Sequence, residues 1–199
     1  MTIDRARFDQ GLTYEAFKEQ MTRNRDHFEA NEQQVDLNTE DLAAFRALPR
    51  PVKVVVLAED WCGDVIANLP VLGRLAKESG KLDVRIFLRD QNDDIMQRYL
   101  NKGQFKSIPV FVFFDDAFRE LGHWIERPAS VTEVRAKRRK DIFAAHPEFG
   151  SPDAPVDQLA EDVRVRLQAE LVKMRHDTTK FANAEVVREL REIATRVAA

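Results

Sequence analysis

The stretch "VKVVVLAEDWCGDV", residues 52–65, decides how the rest of the chain is interpreted. Its first half is rich in β-branched residues and apolar except for Lys53, which is typical of a strand buried on both faces. Apolar residues then recur at helical spacing, at Val65, Leu69, Leu72 and Leu75. This spacing predicts a helix from Cys62 to Ser79, with Gly80 as its stop. Cys62, the one cysteine among 199 residues, therefore falls where a strand gives way to a helix.

Further strands and helices follow this corner. The sequence predicts three further strands, at residues 82–88, 108–114 and 118–125, and a short helix at residues 92–100. We expect Asn92 to cap the short helix and residues 115–117 to form a hairpin turn between the last two strands. A later helix is expected to open at Ser130, because Ser130 and Glu133 match a capping box. The order β-α-β-α-β-β is typical of an α/β domain.

Helical segments are also predicted on both sides of this core. The aromatic and apolar residues of the N-terminal part predict one amphipathic helix from Thr13 to about Ala30, capped by Thr13. A second helix is predicted from an N-cap at Thr39 to Leu48. We accordingly divide the chain into an N-terminal helical extension (1–49), a central domain (50–146) and a C-terminal helical extension (147–199).

The C-terminal extension is predicted to begin with a Pro/Gly linker, "HPEFGSPDAP" (146–155). Two apolar stripes follow it and predict two helices joined by "HDTTKFAN" (176–183). Their positions are Val156, Leu159, Val163, Leu167 and Leu171 in the first, and Val186, Leu190, Ile193 and Val197 in the second. Because the stripes are too wide to leave in water, we expect these helices to pack on the sheet.

Composition excludes several classes of partner and site. With 31 basic and 34 acidic residues the net charge is -3, so no global field favours nucleic acid or membrane. The basic run "RAKRRK" (135–140) is interpreted as a solvated helix face. No apolar stretch approaches the roughly 20 residues that span a bilayer, and "MTIDRARFDQ" lacks an apolar signal region, so we expect a cytoplasmic protein. One cysteine cannot close an internal disulfide, and the four histidines show no ligand spacing. We therefore expect no metal and no cofactor.

The motif around Cys62 resembles the active site of the thioredoxin family. "WCGDV" is similar to that family's "WCGPC", and Pro70 lies eight residues after Cys62, where the family has a helix-kinking proline. Ile108-Pro109 opens the third strand as the family's cis-proline loop does. The resemblance covers about residues 50–145, and the whole chain resembles a bacterial subgroup with helical extensions.

The resemblance implies a thioredoxin-like fold, with a four-stranded mixed sheet flanked by helices. It also implies that Cys62 is the catalytic residue. The substrate-binding residues that it implies are Trp61, Gly63, Asp64, Ile108 and Pro109. Its partners would be protein disulfides or low-molecular-weight thiols.

Three departures from the family pattern matter, and the first two point to chemistry with one thiol. Val65 stands where the family has its second, resolving cysteine. Val56 and Ile86 occupy the positions of a buried aspartate and its lysine partner, which serve proton transfer to the resolving sulfur. Asp64 replaces a proline and brings a carboxylate into the first turn of the helix.

The sequence leaves open whether the thiol is activated. A helix N-terminus favours a thiolate by about 0.3–1 kcal/mol. Asp64 at about 6 Å would oppose it by about 0.7 kcal/mol at the dielectric of water and by about 2.8 kcal/mol at an effective value of about 20. Glu59 and Asp60 are expected to add repulsion.

These patterns support one leading hypothesis and two alternatives. The leading one is a single-cysteine thiol–disulfide oxidoreductase, in which an external thiol resolves a mixed disulfide at Cys62. The first alternative is a redox-inactive scaffold or protein-binding module of the same fold, whose helical extensions could form an interface or a homodimer. The second is a thiol peroxidase that would form sulfenic acid at Cys62.

Overall fold

A computed structural model describes residues 3–152 and 158–198 of the chain. These residues divide into two compact units. The first comprises Met1–Arg127 together with Val186–Ala199, and the second comprises Pro128–Glu185. No described helix combines the length and the apolar character needed to cross a bilayer.

The first unit is built on a four-stranded mixed sheet, as predicted. Its strands are β1 (Val52–Ala58), β2 (Leu82–Leu88), β3 (Val110–Phe114) and β4 (Glu120–Ile125). They lie in the order β2-β1-β3-β4, with β1 parallel to β2 and antiparallel to β3, and with β4 antiparallel to β3. Every residue of β1 is buried, which is the expected result for a central strand that is apolar apart from Lys53.

Helix α5 (Gly63–Ser79) connects β1 to β2 and begins directly after Cys62. Its apolar stripe is buried, and Gly80 ends it with a φ of 64°, a left-handed conformation that glycine adopts without strain. Because β1 and β2 are parallel, the chain must cross the sheet between them. The crossover brings the first turn of α5 to the end of β1, where Cys62 lies.

The chain after β2 is less helical than predicted. A 3₁₀ turn at Arg89–Gln91 leads into a short helix, α6 (Asp93–Met96), in place of a helix over 92–100. Asn92 occupies the N-cap position of α6, as predicted, but its side chain makes no capping bond to the helix and its amide donates instead to the Leu88 carbonyl at 2.7 Å.

The N-terminal part folds into four helices: α1 (Arg5–Phe8), α2 (Tyr14–Gln20), α3 (Arg25–Gln34) and α4 (Thr39–Arg46). The side chain of Thr13 caps α2, as predicted, by accepting from the Ala16 N–H at 3.1 Å. The predicted single helix from Thr13 to Ala30 is wrong, because the chain breaks between α2 and α3. The cap of α4 is Asn38, one residue before the predicted Thr39; its side chain accepts from the Asp41 N–H.

The break between α2 and α3 has a physical cause in the residues before Cys62. The Asp60 carboxylate accepts hydrogen bonds from the backbone N–H groups of Thr22 and Arg23, at 2.8 and 3.0 Å. Asn24 then takes a φ of 56°, and its side chain donates to the Asp60 carbonyl at 2.9 Å. Since these donors bond to Asp60, they cannot take part in a continuous helix. Helical periodicity alone contains no information on this long-range contact.

The hairpin between β3 and β4 turns at the predicted residues. The Asp115 carboxylate accepts from the backbone N–H groups of Arg119 and Ala117, at 2.9 and 2.8 Å. The hydrogen bond from the Arg119 N–H is the largest cause that lowers the pKa of Asp115. Together with the bonds from the Arg119 side chain and the Ala117 N–H, it holds this pKa below its ordinary value. β4 begins at Glu120, two residues later than predicted, because Phe118 adopts a φ of 57° inside the turn.

The core of the first unit joins the sheet to helices from both ends of the chain. Helix α9 (Thr179–Ala194) is followed by a 3₁₀ turn at Thr195–Ala198. The end of α9 packs into the same core as the sheet, as expected, and Arg191 pairs with the buried Asp41 of α4 at 2.7 Å. The contributing side chains include Phe8, Phe17, Phe28, Phe45, Phe111, Phe113, Val186, Leu190 and Ile193.

The second unit contains α7 (Ala129–Ala145), a 3₁₀ turn at Pro147–Phe149, α8 (Glu161–Asp177) and the start of α9. Its apolar cluster is formed by Phe143, Phe149 and Leu167. The linker expected over 146–155 therefore contributes a core residue, and its end, like Val156, lies outside the described residues.

Three other predictions for this unit are corrected. The capping box at Ser130 is absent, because its hydroxyl donates to Glu185 at 2.6 Å and α7 starts directly after Pro128. The joint predicted over 176–183 is only Thr178, whose hydroxyl donates to the last carbonyls of α8. The basic run is not wholly solvated, since half-buried Arg139 donates to the Pro152 carbonyl at 3.0 Å.

Candidate functional site

Cys62 is the residue that caps the N-terminus of α5. Its backbone is extended, with φ of -86° and ψ of 119°, and its carbonyl accepts the first helical hydrogen bond from the Ile66 N–H at 3.0 Å. On the other side, its own N–H donates to the Glu59 carbonyl at 3.2 Å. The chain thus reverses tightly between β1 and α5. Cys62 is half-buried and packs against the edge of the hydrophobic core.

The structure brings together the thiol and the Ile108-Pro109 segment. The Cys62 Sγ lies 3.4 Å from the Ile108 carbonyl oxygen and donates a hydrogen bond to it. The peptide bond between Ile108 and Pro109 is cis, and both residues are buried. Two segments that are 46 residues apart in the sequence therefore meet at the sulfur.

Trp61 lies on the surface beside this contact, with 42% of the residue exposed. The guanidinium of Arg89 lies 4.8 Å from the centre of the Trp61 ring, in a cation–π arrangement. Arg89 also donates to the Lys106 carbonyl at 3.2 Å. It thereby links the indole to the segment that precedes Ile108. Gly63 is exposed, and a Cβ there would have no atom within 4 Å, so close packing does not require a glycine.

The carboxylates near the thiol have partners, which corrects the electrostatic expectation. Arg127 donates to the Asp64 carboxylate at 2.7 Å. Glu59 accepts from the Asp90 N–H at 2.9 Å, and Asp60 accepts from the loop between α2 and α3. Treating the three residues as unpaired charges therefore overstates their opposition to a thiolate, above all for Asp64.

The interior behind Cys62 is entirely apolar at the positions that depart from the family pattern. Val56, Val65 and Ile86 have no exposed surface. Val56 and Ile86 are aligned with each other on β1 and β2. Their side chains offer no group that could carry a proton or resolve a mixed disulfide. They contribute instead to the hydrophobic core.

Sequence reasoning missed a polar network centred on Glu126 and Arg127, which follow β4. Besides Asp64, Arg127 also pairs with the Glu126 carboxylate. The other carboxylate oxygen of Glu126 accepts from the Asn101 amide at 2.9 Å, and this amide also reaches the Ser107 hydroxyl at 3.2 Å. A sequence signal existed, because two charged residues stand between a strand and Pro128.

The backbone of Glu126 is held as firmly as its side chain. Its N–H donates to the Pro109 carbonyl at 2.8 Å, and its own carbonyl accepts from the amide of Asn68, a buried residue of α5, at 2.9 Å. Burial by itself would raise the pKa of Glu126. The hydrogen bonds from Ser107, Arg127 and Asn101, with the charge of Arg127, outweigh it and leave the pKa below its ordinary value.

Comparison with known proteins places this site in a familiar fold. Residues 11–140 match a family model described as thioredoxin, so the match includes α2, α3 and α4 as well as the sheet. The crystal structure of a protein of unknown function from Pseudomonas aeruginosa is similar over 100% of both chains, with a TM-score of 0.64 and 18% identity. The crystal structure of an HIV epitope scaffold is similar over 96% of this chain and 97% of that chain, again with a TM-score of 0.64 and 18% identity. No curated protein matches the sequence.

Proposed function

The chain belongs to the thioredoxin family, and on that premise we propose that it is a thiol–disulfide oxidoreductase that works through one thiol, that of Cys62. The observation that carries this proposal is the contact between half-buried Cys62 and the Ile108-Pro109 segment, in which the sulfur lies 3.4 Å from the Ile108 carbonyl oxygen. A thiol at the start of a helix is close to free N–H groups, which stabilise a thiolate.

The reaction has two exchange steps. In the first, the Cys62 thiolate attacks one sulfur of a disulfide R–S–S–R′, which forms the mixed disulfide Cys62–S–S–R and releases R′–S⁻. In the second, the thiolate of an external thiol R″–SH attacks the R sulfur of this mixed disulfide. It forms R–S–S–R″ and returns the Cys62 thiolate. The substrate disulfide is the oxidant and the external thiol is the reductant, so no cofactor is needed.

The second step must use an external thiol because the chain has no other cysteine. In a two-thiol enzyme a cysteine at position 65 would resolve the mixed disulfide within the protein. Here Val65 fills core volume instead. The expected substrates are therefore mixed disulfides of proteins or peptides with low-molecular-weight thiols, whose resolution by a second small thiol is unhindered.

The neighbouring residues have separate roles in this proposal. Exposed Trp61 would form a wall for the bound substrate, and the Ile108-Pro109 segment would hold the substrate chain against the sulfur. The N–H groups of Gly63 and Asp64, in the first turn of α5, would stabilise the thiolate. A cytoplasmic location fits chemistry that depends on a pool of reduced small thiols.

The test is turnover of a peptide that carries glutathione in a mixed disulfide, with reduced glutathione as the second thiol. We expect release of the free peptide at a rate above the uncatalysed exchange, and we expect Cys62→Ser to abolish the difference. Serine keeps the size and the capping position of the side chain but cannot form a disulfide. Turnover that survives this substitution would contradict the proposal.

A second candidate, a redox-inactive scaffold of the same fold, is favoured by the apolar residues behind the thiol. Val56, Val65 and Ile86 are what a core would contain if redox chemistry had been lost. Under this candidate the folded protein does not exchange disulfides faster than a free thiol does. The same assay therefore separates the two when a free thiol at the same concentration is the reference, because a scaffold gives no rate above that reference.

A further inference from the structure

Glu126 and Arg127 form contacts with both halves of the Cys62 site. One half is the first turn of α5, which bears Asp64 two residues after the thiol. The other half is the segment from Ser107 to Pro109, which supplies the carbonyl next to the sulfur. We call residues 126–127 the strap, and each of its residues makes a distinct set of contacts.

Arg127 binds the α5 half through charge. Its Nη2 atom donates to Asp64 Oδ2 at 2.7 Å and also to the Glu126 carboxylate. The side chains of Arg127 and Asp64 are only 31% and 22% exposed, so solvent screens this pair less than a surface pair. The positive charge is therefore positioned to cancel the carboxylate that the motif brings next to the thiol.

Glu126 binds the prolyl half through hydrogen bonds. Its carboxylate accepts a hydrogen bond from the Asn101 amide. The same amide also donates to the hydroxyl of Ser107, the residue directly before Ile108. Its backbone N–H donates to the Pro109 carbonyl at 2.8 Å. These bonds fix the segment on both sides of the Ile108 carbonyl that faces the sulfur.

The strap holds this arrangement at a cost in stability. Glu126 has a φ of 67°, a left-handed conformation that is strained for a residue other than glycine. The Nε atom of Arg127 is buried without a hydrogen-bond partner among the residues that the structure describes. Features of this kind persist where surrounding contacts demand them, and they concentrate at functional sites.

We propose that Glu126 and Arg127 are positioning residues of the Cys62 site: Arg127 neutralises Asp64 beside the thiol, and Glu126 holds the Ile108 carbonyl against the sulfur. This inference rests on the proposed function, because the two residues position groups for a reaction of Cys62. Its test does not, because the test measures the reactivity of the thiol without a disulfide substrate. Arg127 keeps a thiolate at Cys62 from facing an uncompensated negative charge. The remaining charged neighbours, Glu59 and Asp60, bind backbone N–H groups and are not part of the strap.

The test is the rate at which iodoacetamide alkylates Cys62 at neutral pH, in four proteins. They are the natural chain, Arg127→Met, Asp64→Asn, and the double variant. Iodoacetamide is neutral and reacts with the thiolate, and the chain contains no other cysteine, so the rate reports the charge next to this sulfur.

The proposal predicts opposite signs for the two single variants. Arg127→Met removes the cation that faces Asp64 and Glu126 and slows alkylation about 3-fold or more, whereas Asp64→Asn leaves the cation and speeds it about as much. The double variant returns toward the natural rate. If Arg127 were merely structural, all variants containing Arg127→Met would change in the same direction and Asp64→Asn would restore nothing. That result, or equal rates in all four proteins, would overturn the proposal.

Two further measurements keep the outcome interpretable. Asp64→Asn changes almost no volume, so its faster rate is a test even if Arg127→Met unfolds. Arg127→Lys keeps the charge and is expected to keep at least half of the natural rate; a rate as slow as that of Arg127→Met contradicts the role of charge. Because alkylation needs no disulfide substrate, the strap can be confirmed or rejected whether or not the protein turns over a mixed disulfide.

Discussion

The outer and inner sides of the first turn of α5 differ in chemistry. The outer side carries the half-buried Cys62 and Asp64, and its polar groups reach the strap and the prolyl segment. The inner side carries Val65, which packs with the fully buried Val56 and Ile86. The two sides are formed by neighbouring residues of one helical turn, yet polar contacts hold the outer side in place and hydrophobic packing holds the inner side.

A two-thiol site has two tasks, attack by the first sulfur and resolution by the second. This difference shows that the two tasks can be separated within one turn of a helix. The attacking sulfur and the segment beside it are present on the outer side. The inner side, which would hold a resolving sulfur and its proton relay, consists of core residues. Substitutions inside should therefore change stability more than reactivity, and substitutions outside should do the reverse. The following predictions test this separation.

The largest effect is expected from Val56→Asp, which restores an acidic residue inside without a lysine beside it. An uncompensated buried charge costs about 3–5 kcal/mol of unfolding free energy at pH 7. Desolvation raises the pKa of the new carboxyl above its unfolded value, so the deficit is largest at high pH and shrinks as pH falls toward about 3.9. Urea unfolding against pH measures it. Val56→Asn, which lacks the charge, is the matched control and should show no such pH dependence; a shared pH profile would contradict the account of a dry core.

A smaller loss of stability is expected from Glu126→Gln. The carboxylate accepts hydrogen bonds from charged and neutral donors, and losing its charge should cost about 1.5 kcal/mol at pH 7. Since the folded pKa of Glu126 lies below its ordinary value of 4.5, its stabilisation is present above that pH and is lost as pH falls through the folded pKa. In chemical unfolding the natural chain and the variant should therefore converge as pH falls below 4.5 and through the folded pKa of Glu126. A constant difference down to pH 3 would mean that the contribution of Glu126 is not electrostatic.

Val65→Cys should cost less stability and change the chemistry more. The smaller side chain leaves part of a fully buried site unfilled, which costs about 1 kcal/mol in the reduced protein. We expect the new thiol to resolve mixed disulfides at Cys62, so that glutathione disulfide yields an internal disulfide in place of a stable adduct. Intact mass before and after thiol alkylation distinguishes the two products. A lasting glutathione adduct with a free second thiol would show that more than Val65 prevents two-thiol chemistry.

The smallest effect is expected from Arg89→Met at the rim. The guanidinium over Trp61 contributes about 0.5–1 kcal/mol, and methionine retains part of the contact with the ring. Thermal unfolding should shift slightly, while alkylation of Cys62 should stay within about 2-fold of the natural rate. A large loss of alkylation rate would assign Arg89 a place in the site that the geometry does not give it.

Local patterns were sufficient to predict the sheet and the corner that bears the thiol. β1 and β2 have the predicted bounds: β1 is buried along its whole length, and β2 alternates between buried apolar and half-buried residues over most of its length. Cys62, Ile108 and Pro109 could be proposed as neighbours only through the resemblance to a family, since no periodicity relates residues 46 apart.

The contacts that the sequence could not reveal are those between distant polar groups. Asp60 ends α2 by binding Thr22 and Arg23, and Arg127 cancels Asp64 from the far end of β4. In each case a charged residue looks like a surface residue until the fold supplies its partner. The charges around the thiol could therefore be described only from the three-dimensional structure, whereas the sequence alone shows that no resolving cysteine is present.

The most direct test of one-thiol chemistry is the intact mass of the folded protein after incubation with glutathione disulfide. The account predicts one glutathionyl group, located on Cys62, formed faster than on a free thiol of similar concentration and removed completely by reduced glutathione. The Cys62→Ser variant should gain none. A folded protein that remains unmodified, while the urea-unfolded chain is modified readily, would show that the fold shields the sulfur and would contradict the central claim.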